Sequence, residues 1–158
     1  MKSKPAVRIL VTYHSQSGNT AQLAGAVARG VAETEGVTAI FKRAAATVAV
    51  DIRECDGLVI CSPEYFGYMA GAIKDLFDRT YETLRDDFRM NKKPYALVIC
   101  AGNDGTGALT QIERILKAYR VKKAQHPIIC KGPVTEEIIL RAVELGKTMA
   151  EGVKMGIF

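Results

Sequence analysis

The amino-acid sequence predicts an α/β fold, a doubly wound five-stranded parallel sheet with strand order 2-1-3-4-5. Three observations lead there. Short apolar runs rich in β-branched residues alternate along the chain with segments of helical period. Those runs are apolar on both faces, as strands covered by helices on each side must be. Right-handed crossovers then leave few topologies, and a doubly wound sheet of this strand number takes that order. The same rule places a ligand at the C-terminal ends of the strands, beside the point where the order reverses.

Each element has its own signal. Residues 7–13 form the first apolar run. A helix over 19–35 follows, with Leu23, Val27 and Val31 four apart on one face and Gly36 to stop it. The second strand is expected over 38–41, then a short helix somewhere in 44–54, the least readable stretch. Residues 57–61 read as the third strand and 70–84 as a helix that keeps Ile73, Leu76, Phe77, Tyr81 and Leu84 on one face. The fourth strand is 95–100, and the helix after it carries Leu109, Ile112, Leu116 and Tyr119 on one side. Residues 127–130 make a short fifth strand, and a helix over 135–154 buries Ile139, Val143 and Met149.

The chain has 158 residues, one domain by length, so 1–158 is expected to fold as a single unit without metal or disulfide. It is 48% hydrophobic and 25% charged, ordinary for a soluble globular protein. No run approaches the roughly 18 apolar residues of a spanning helix, and no small-residue cleavage site follows the basic start. A cytoplasmic protein that engages no membrane is the expectation. Cys55, Cys61, Cys100 and Cys130 show neither a CxxC pair nor metal-ligand spacing, and each reads as a small buried hydrophobe. Cys61 and Cys100 fall near strand ends, where ligands bind. The net charge of +5 is spread along the chain. Its tightest cluster, Arg120, Lys122 and Lys123, suits the C-terminus of a helix, and no nucleic-acid module accompanies it, so no nucleic-acid partner is expected.

The chemistry concentrates in the loops after strands 1, 3 and 4. The first holds His14, Ser15, Gln16, Ser17, Gly18, Asn19 and Thr20 at the start of a helix. Free N–H groups and the positive end of the helix dipole make such a terminus an anion site. Ser15, Ser17 and Thr20 add hydroxyl donors, and Gly18 lets the backbone come close. The loop has no lysine or arginine and no GxxxxGK[ST], so it suits a terminal monophosphate rather than ATP. The plain alternative is helix capping, which needs one polar residue where this loop has five around its glycine. His14 reads as a neutral spacer, although a protonated imidazole there would also favour a dianion.

The segment Tyr13-His14-Ser15-Gln16-Ser17-Gly18-Asn19-Thr20 resembles the flavodoxin phosphate-loop signature, T/S-x-x-G-x-T after an aromatic. It departs at Thr12, where that family prefers a larger apolar residue. The second loop, Ser62-Pro63-Glu64-Tyr65-Phe66-Gly67-Tyr68-Met69, carries aromatics that a turn does not need and a flat ring does. Packing on a neighbouring loop or a second copy would also use them, so a homodimer stays open. This stretch is similar to the S-P-x-Y-x-G-x-x-x-G-x-x-K-x-x-x-D segment of NAD(P)H-dependent FMN reductases and related quinone reductases. The match covers Ser62, Pro63, Tyr65, Gly67, Gly71, Lys74 and Asp78.

The third loop is Ala101-Gly102-Asn103-Asp104-Gly105-Thr106-Gly107, whose GxxGxG spacing is not the dinucleotide fingerprint and follows the wrong strand. The resemblance implies a flavodoxin-like FMN protein whose third loop wraps the pyrimidine side of the ring. It implies cofactor contacts from Ser15, Gln16, Ser17, Gly18, Asn19 and Thr20, from Pro63, Glu64, Tyr65, Phe66 and Gly67, and from Gly102, Asn103, Asp104 and Gly105. An acidic Asp104 near the ring would disfavour an anionic reduced flavin. A response-regulator receiver shares the topology but needs acidic residues where His14-Ser15 and Ser62-Pro63 stand.

Three uses of FMN follow from the resemblance. One is an NAD(P)H-dependent oxidoreductase acting on a small-molecule electron acceptor. Another is an electron-carrier flavodoxin serving a redox partner protein. The third is a non-enzymatic FMN-binding regulatory subunit. The basic balance, pI about 9.1, leans toward the first, because low-potential carriers surround their flavin with negative charge.

Overall fold

A computed structural model describes residues 4–158. The chain runs β1 (Val7–Tyr13), α1 (Asn19–Ala32), β2 (Val37–Arg43), α2 (Ala49–Glu54), β3 (Gly57–Tyr65), β4 (Tyr68–Met69) and α3 (Gly71–Leu84). It continues through β5 (Pro94–Ala101), α4 (Thr106–Ala118), β6 (Lys122–Lys123), β7 (Ile128–Lys131) and α5 (Glu136–Lys154). Among the described residues no helix is long and apolar enough to cross a membrane.

The main sheet is parallel in the order β2-β1-β3-β5, with β6 and β7 both along the outer edge of β5. β1 pairs along its length with β2 and, from Ile9 to Tyr13, with β3. The expected doubly wound order is therefore present, with its fifth position shared by two short strands. Lys122–Lys123 pairs with Pro94 and Tyr95, and Ile128–Lys131 with the far half of β5. Pro127, with no N–H to give, separates them and moves the start of β7 to Ile128. The basic cluster thus straddles an edge strand, where charge deters further pairing.

Alternate strand residues feed two cores. Ile9, Val11, Val59 and Val98 pack with Leu23, Val27 and Val31 of α1 and with Val143 and Met149 of α5. Leu10, Leu58, Ile60, Leu97 and Ile99 pack with Ile52 of α2, Ile73 and Leu76 of α3, and Ile112 and Leu116 of α4. Helices thus cover both faces, which is why the strand sequences do not alternate with polar residues. The unreadable stretch 44–54 resolves into a 3-10 turn at Ala44–Ala46 and then α2. Thr12 is fully buried, and its hydroxyl bonds that of Thr47 at 2.8 Å, tying β1 to the turn after β2. That bond gives the unusual polar residue in strand 1 its place.

Two glycines set how closely α1 and α5 approach. A Cβ on Gly30 would stand 2.0 Å from the Val143 carbonyl oxygen, and one on Gly146 would stand 2.1 Å from that of Val27. Both contacts are with backbone, which cannot move aside alone. Gly30→Ala should therefore destabilise the fold by about 1–3 kcal/mol in urea unfolding. The helix propensity of alanine acting alone would instead stabilise it by up to about 1 kcal/mol. A rise in the urea midpoint would show that the helices can separate freely.

Candidate functional site

The C-terminal ends of β1, β3 and β5 meet at one rim of the sheet, and the loops that leave them enclose a cleft. From β1 the chain continues through His14, whose N–H donates to the Cys61 carbonyl (3.2 Å). Ser15 Oγ accepts the Gly18 N–H at 3.1 Å, which closes a tight turn. Gly18 has φ 104°, a conformation glycine adopts without cost, and a Cβ there would meet nothing within 4 Å. No side chain caps α1. Ser15 is engaged with the N–H of Gly18, and the remaining polar residues of the loop, Gln16, Ser17, Asn19 and Thr20, line the cleft at the start of the helix. Ser17 is exposed, whereas Thr20 is buried with its hydroxyl against the Cys100 thiol. Burial pushes that thiol up to about 11 and the Thr20 contact acts in the opposite sense, so Cys100 stays protonated at neutral pH.

The second loop is a hairpin. β3 extends to Tyr65, the chain turns through Phe66 (φ 52°) and Gly67 (φ 70°), and β4 pairs back, Glu64 with Met69 and Tyr65 with Tyr68. Two central residues of positive φ match the twist of a tight hairpin. Phenylalanine is poorly suited to that position and is fully exposed here. Three contacts anchor the hairpin. Ser62 Oγ accepts the Ala70 N–H at 3.1 Å, and Glu64 Oε2 accepts the Ala108 N–H of α4 at 2.9 Å. The Gly67 carbonyl lies where a Cβ on Gly107 would be, 2.0 Å away. Tyr65 stands edge-on to His14 with ring centroids 6.3 Å apart, and burial raises its phenol.

In the third loop Gly102, Asn103 and Asp104 are exposed. Asp104 Oδ1 accepts the Thr106 N–H at 3.0 Å and the Thr106 hydroxyl at 2.8 Å, which holds its carboxyl below the usual range. Gly105 takes φ 76° at the start of α4, and a Cβ there would press Ile129 at 2.7 Å. Asp104 and Gly105 thus serve the entry into α4.

Gln16, Ser17, Asn19, Thr20, Pro63, Glu64, Tyr65 and Gly102 come together around a cavity of about 230 Å³. Cys100, Ala101 and Gly132 complete its wall. Ser15, Gly18, Phe66, Gly67, Asn103, Asp104 and Gly105 shape the surrounding loops without lining it. Sequence reasoning placed Ala101 in the third loop without naming it as a contact and missed Gly132. Gly132 follows the fifth strand directly, so the strand-end rule already pointed there. Cys61 is fully buried and does not reach the cleft. A larger cavity of 610 Å³ lies elsewhere, between the end of α1, α5 and Phe158. None of its lining residues belongs to a strand end.

The residues present fit FMN. An uncapped helix N-terminus with Ser17 and Thr20 beside it suits a phosphate, open space at Gly18 and Gly102 admits a ligand, and Tyr65 offers a ring at the mouth.

A family model described as NADPH-dependent FMN reductase matches residues 34–127, which take in the hairpin and the third loop. An iron-sulfur flavoprotein of Archaeoglobus fulgidus is 29% identical over 85 residues, 53% of this chain and 42% of that protein. A flavodoxin of Aquifex aeolicus is 32% identical over 71 residues, 45% of this chain and 38% of that one. The matched part thus spans about two fifths of the length of these relatives. In structure the chain is similar to a flavodoxin from the domain Archaea, with TM-score 0.79 at 20% identity over 94% of this chain and 99% of the other. That likeness shows the flavodoxin-like fold.

Gly107→Ala should push the hairpin off α4. The expected result is a loss of about 1–3 kcal/mol in stability, with amide NMR shifts changing over residues 64–69. Gly102→Ala is the control, because its Cβ meets nothing within 4 Å. Equal, small effects from both would mean that the hairpin does not rest on Gly107.

Proposed function

The chain belongs to the NADPH-dependent FMN reductase family, and from that premise we propose that it is an FMN-dependent NAD(P)H oxidoreductase delivering electrons to a small-molecule acceptor. The observation that carries the reading is the uncapped N-terminus of α1 facing the Tyr65 hairpin across the point where the strand order reverses. FMN, when bound, supplies the two-electron chemistry.

The protein's own residues bind, orient and shield. The first N–H groups of α1 and the hydroxyls of Ser17 and Thr20 would hold the phosphate. None of the three loops contains lysine or arginine, so the helix dipole and neutral donors carry this interaction. The cavity is smaller than the roughly 300–1,000 Å³ that encloses a whole ligand. It therefore suits the ribityl phosphate, and Tyr65 and the Gly102 backbone at its mouth are the groups that would hold the ring. Glu64 holds the hairpin to α4, so Tyr65 is offered at a fixed height above the cleft. Phe66 stands fully exposed at the hairpin tip.

The same exposed Phe66 favours a second reading, a carrier that docks on a redox partner protein through the hairpin. Anaerobic addition of NADPH or NADH to FMN-loaded protein separates the two. The reductase reading expects the flavin absorbance to fall and to recover when a quinone is added. A flavin that stays oxidised with both nucleotides, yet is reduced by a one-electron donor, establishes the carrier.

FMN should bind far more tightly than riboflavin, because each charge-assisted hydrogen bond to the phosphate is worth about 1.5–3 kcal/mol. Ser17→Ala should lower FMN affinity about tenfold with unfolding midpoints unchanged. Tyr65→Ala should cost about 1–3 kcal/mol of FMN binding through lost ring contact. Equal affinity for riboflavin and FMN in a fluorescence titration would remove the phosphate from α1.

A further inference from the structure

A second cavity lies on the other side of the hairpin. It occupies about 450 Å³ between α3 and α4, within the size range of small-molecule sites. Tyr68, Phe77, Tyr81 and Tyr119 give it aromatic walls. These walls are held in place: Tyr119 packs on Phe77 and Tyr81 at 5.6 and 5.4 Å, and its hydroxyl lies 2.8 Å from both the Phe77 carbonyl and the Thr80 hydroxyl. Lys74 of α3 and Arg114 of α4 supply cations, against one carboxylate, Asp78. Lys74 pairs with Asp78 at 2.6 Å, and among the described residues Arg114 takes part in no salt bridge.

The groove and the cleft are neighbours through a single structural unit. Tyr65 lines the cleft, and its cross-strand partner Tyr68 lines the groove. The two sides differ in charge. The three loops of the cleft carry no lysine or arginine, whereas the groove carries a pair of cations beside tilted and edge-on rings. An aromatic ring that bears an anionic group has no charged partner in the cleft and finds one in the groove.

We propose that the α3–α4 groove takes the adenosine 2′-phosphate end of NADPH, with adenine against Tyr68 and Tyr81 and the 2′-phosphate on Arg114 and Lys74. The proposal rests on the reductase reading and deepens it. NADPH differs from NADH only in that phosphate, so the groove decides between the two nucleotides. The remainder of the dinucleotide crosses the hairpin toward the mouth of the cleft. Arg114 is the anchor, and the Lys74–Asp78 pair opens or shares its cation when the phosphate arrives.

The direct test needs no turnover. Adenosine 2′,5′-bisphosphate and 5′-AMP are titrated into the FMN-loaded protein by calorimetry, with the phosphorus NMR signal of the 2′-phosphate followed. The bisphosphate is expected to bind at least tenfold more tightly than 5′-AMP, with its 2′-phosphate signal shifted. Arg114→Ala should abolish that advantage and Arg114→Lys restore part of it. In turnover, the same Arg114→Ala should reduce the preference for NADPH over NADH at least tenfold, through KM rather than kcat. Equal affinity for bisphosphate and 5′-AMP, or an NADPH preference untouched by Arg114→Ala, overturns the proposal while leaving the reductase reading intact. A groove closed by a second copy, seen as a dimer in sedimentation that Tyr81→Ala dissolves, overturns it as well. Failure of both nucleotides to reduce the flavin removes the reductase reading, and with it the nucleotide choice assigned to the groove.

Discussion

The pairing of β1 on both of its edges is the constraint from which the rest follows. With β2 on one side and β3 on the other, the chain must leave β1 in one direction and return to its far side. Right-handed crossovers then send α1 over one face and α2 over the opposite face. The loops after β1 and β3 are driven apart where they leave the sheet, and a crevice opens between them. The uncapped start of α1 and the Tyr65 hairpin face each other because no other arrangement closes the sheet. The interior supports this with a central strand buried from Ile9 to Thr12, where one polar side chain is satisfied by Thr47.

What this crevice offers an anion is geometry more than charge. The overall excess of basic residues does not reach the loops, whose ionisable acids are occupied: Glu64 holds α4, and Asp104 holds Thr106. The N–H and hydroxyl donors there do not titrate in the physiological range, so any pH dependence of phosphate binding comes from the phosphate's own second ionisation, at about pH 6. Such a site also loses less to salt than a lysine cluster would.

The sequence made the long elements legible and the short ones illegible for a single reason. β1, β3 and β5 carry apolar runs of several residues, and α1, α3, α4 and α5 carry several turns of periodic pattern. β4 and β6 are two residues each, too short to show any period. In the candidate site, Ser17, Thr20, Pro63, Tyr65 and Gly102 were readable because their residue types are unusual for plain turns. The duties of Glu64, Asp104 and Gly107 were not, because each depends on a partner brought in from a distant element, Ala108, an entering helix or the Gly67 carbonyl. Phe66 was read as a cofactor contact on residue type, and its exposure at the tip of a hairpin with two positive φ angles was not legible in the sequence.

The seat of α1 on α5 has a mechanical side. Gly30 rests on the Val143 backbone near one end of the helix, and the free N–H groups lie at the other end, beginning at Asn19. Eleven residues of helix make an arm of about 16 Å, so a tilt of a few degrees at the seat moves the far end by about 1 Å. Displacements of that size are enough to spoil a set of converging donors. Substitutions at the α1–α5 seat, remote from every loop of the crevice, can thus reach the start of α1 by leverage. A slackening of this contact with heat would scatter those N–H groups before the sheet itself gives way.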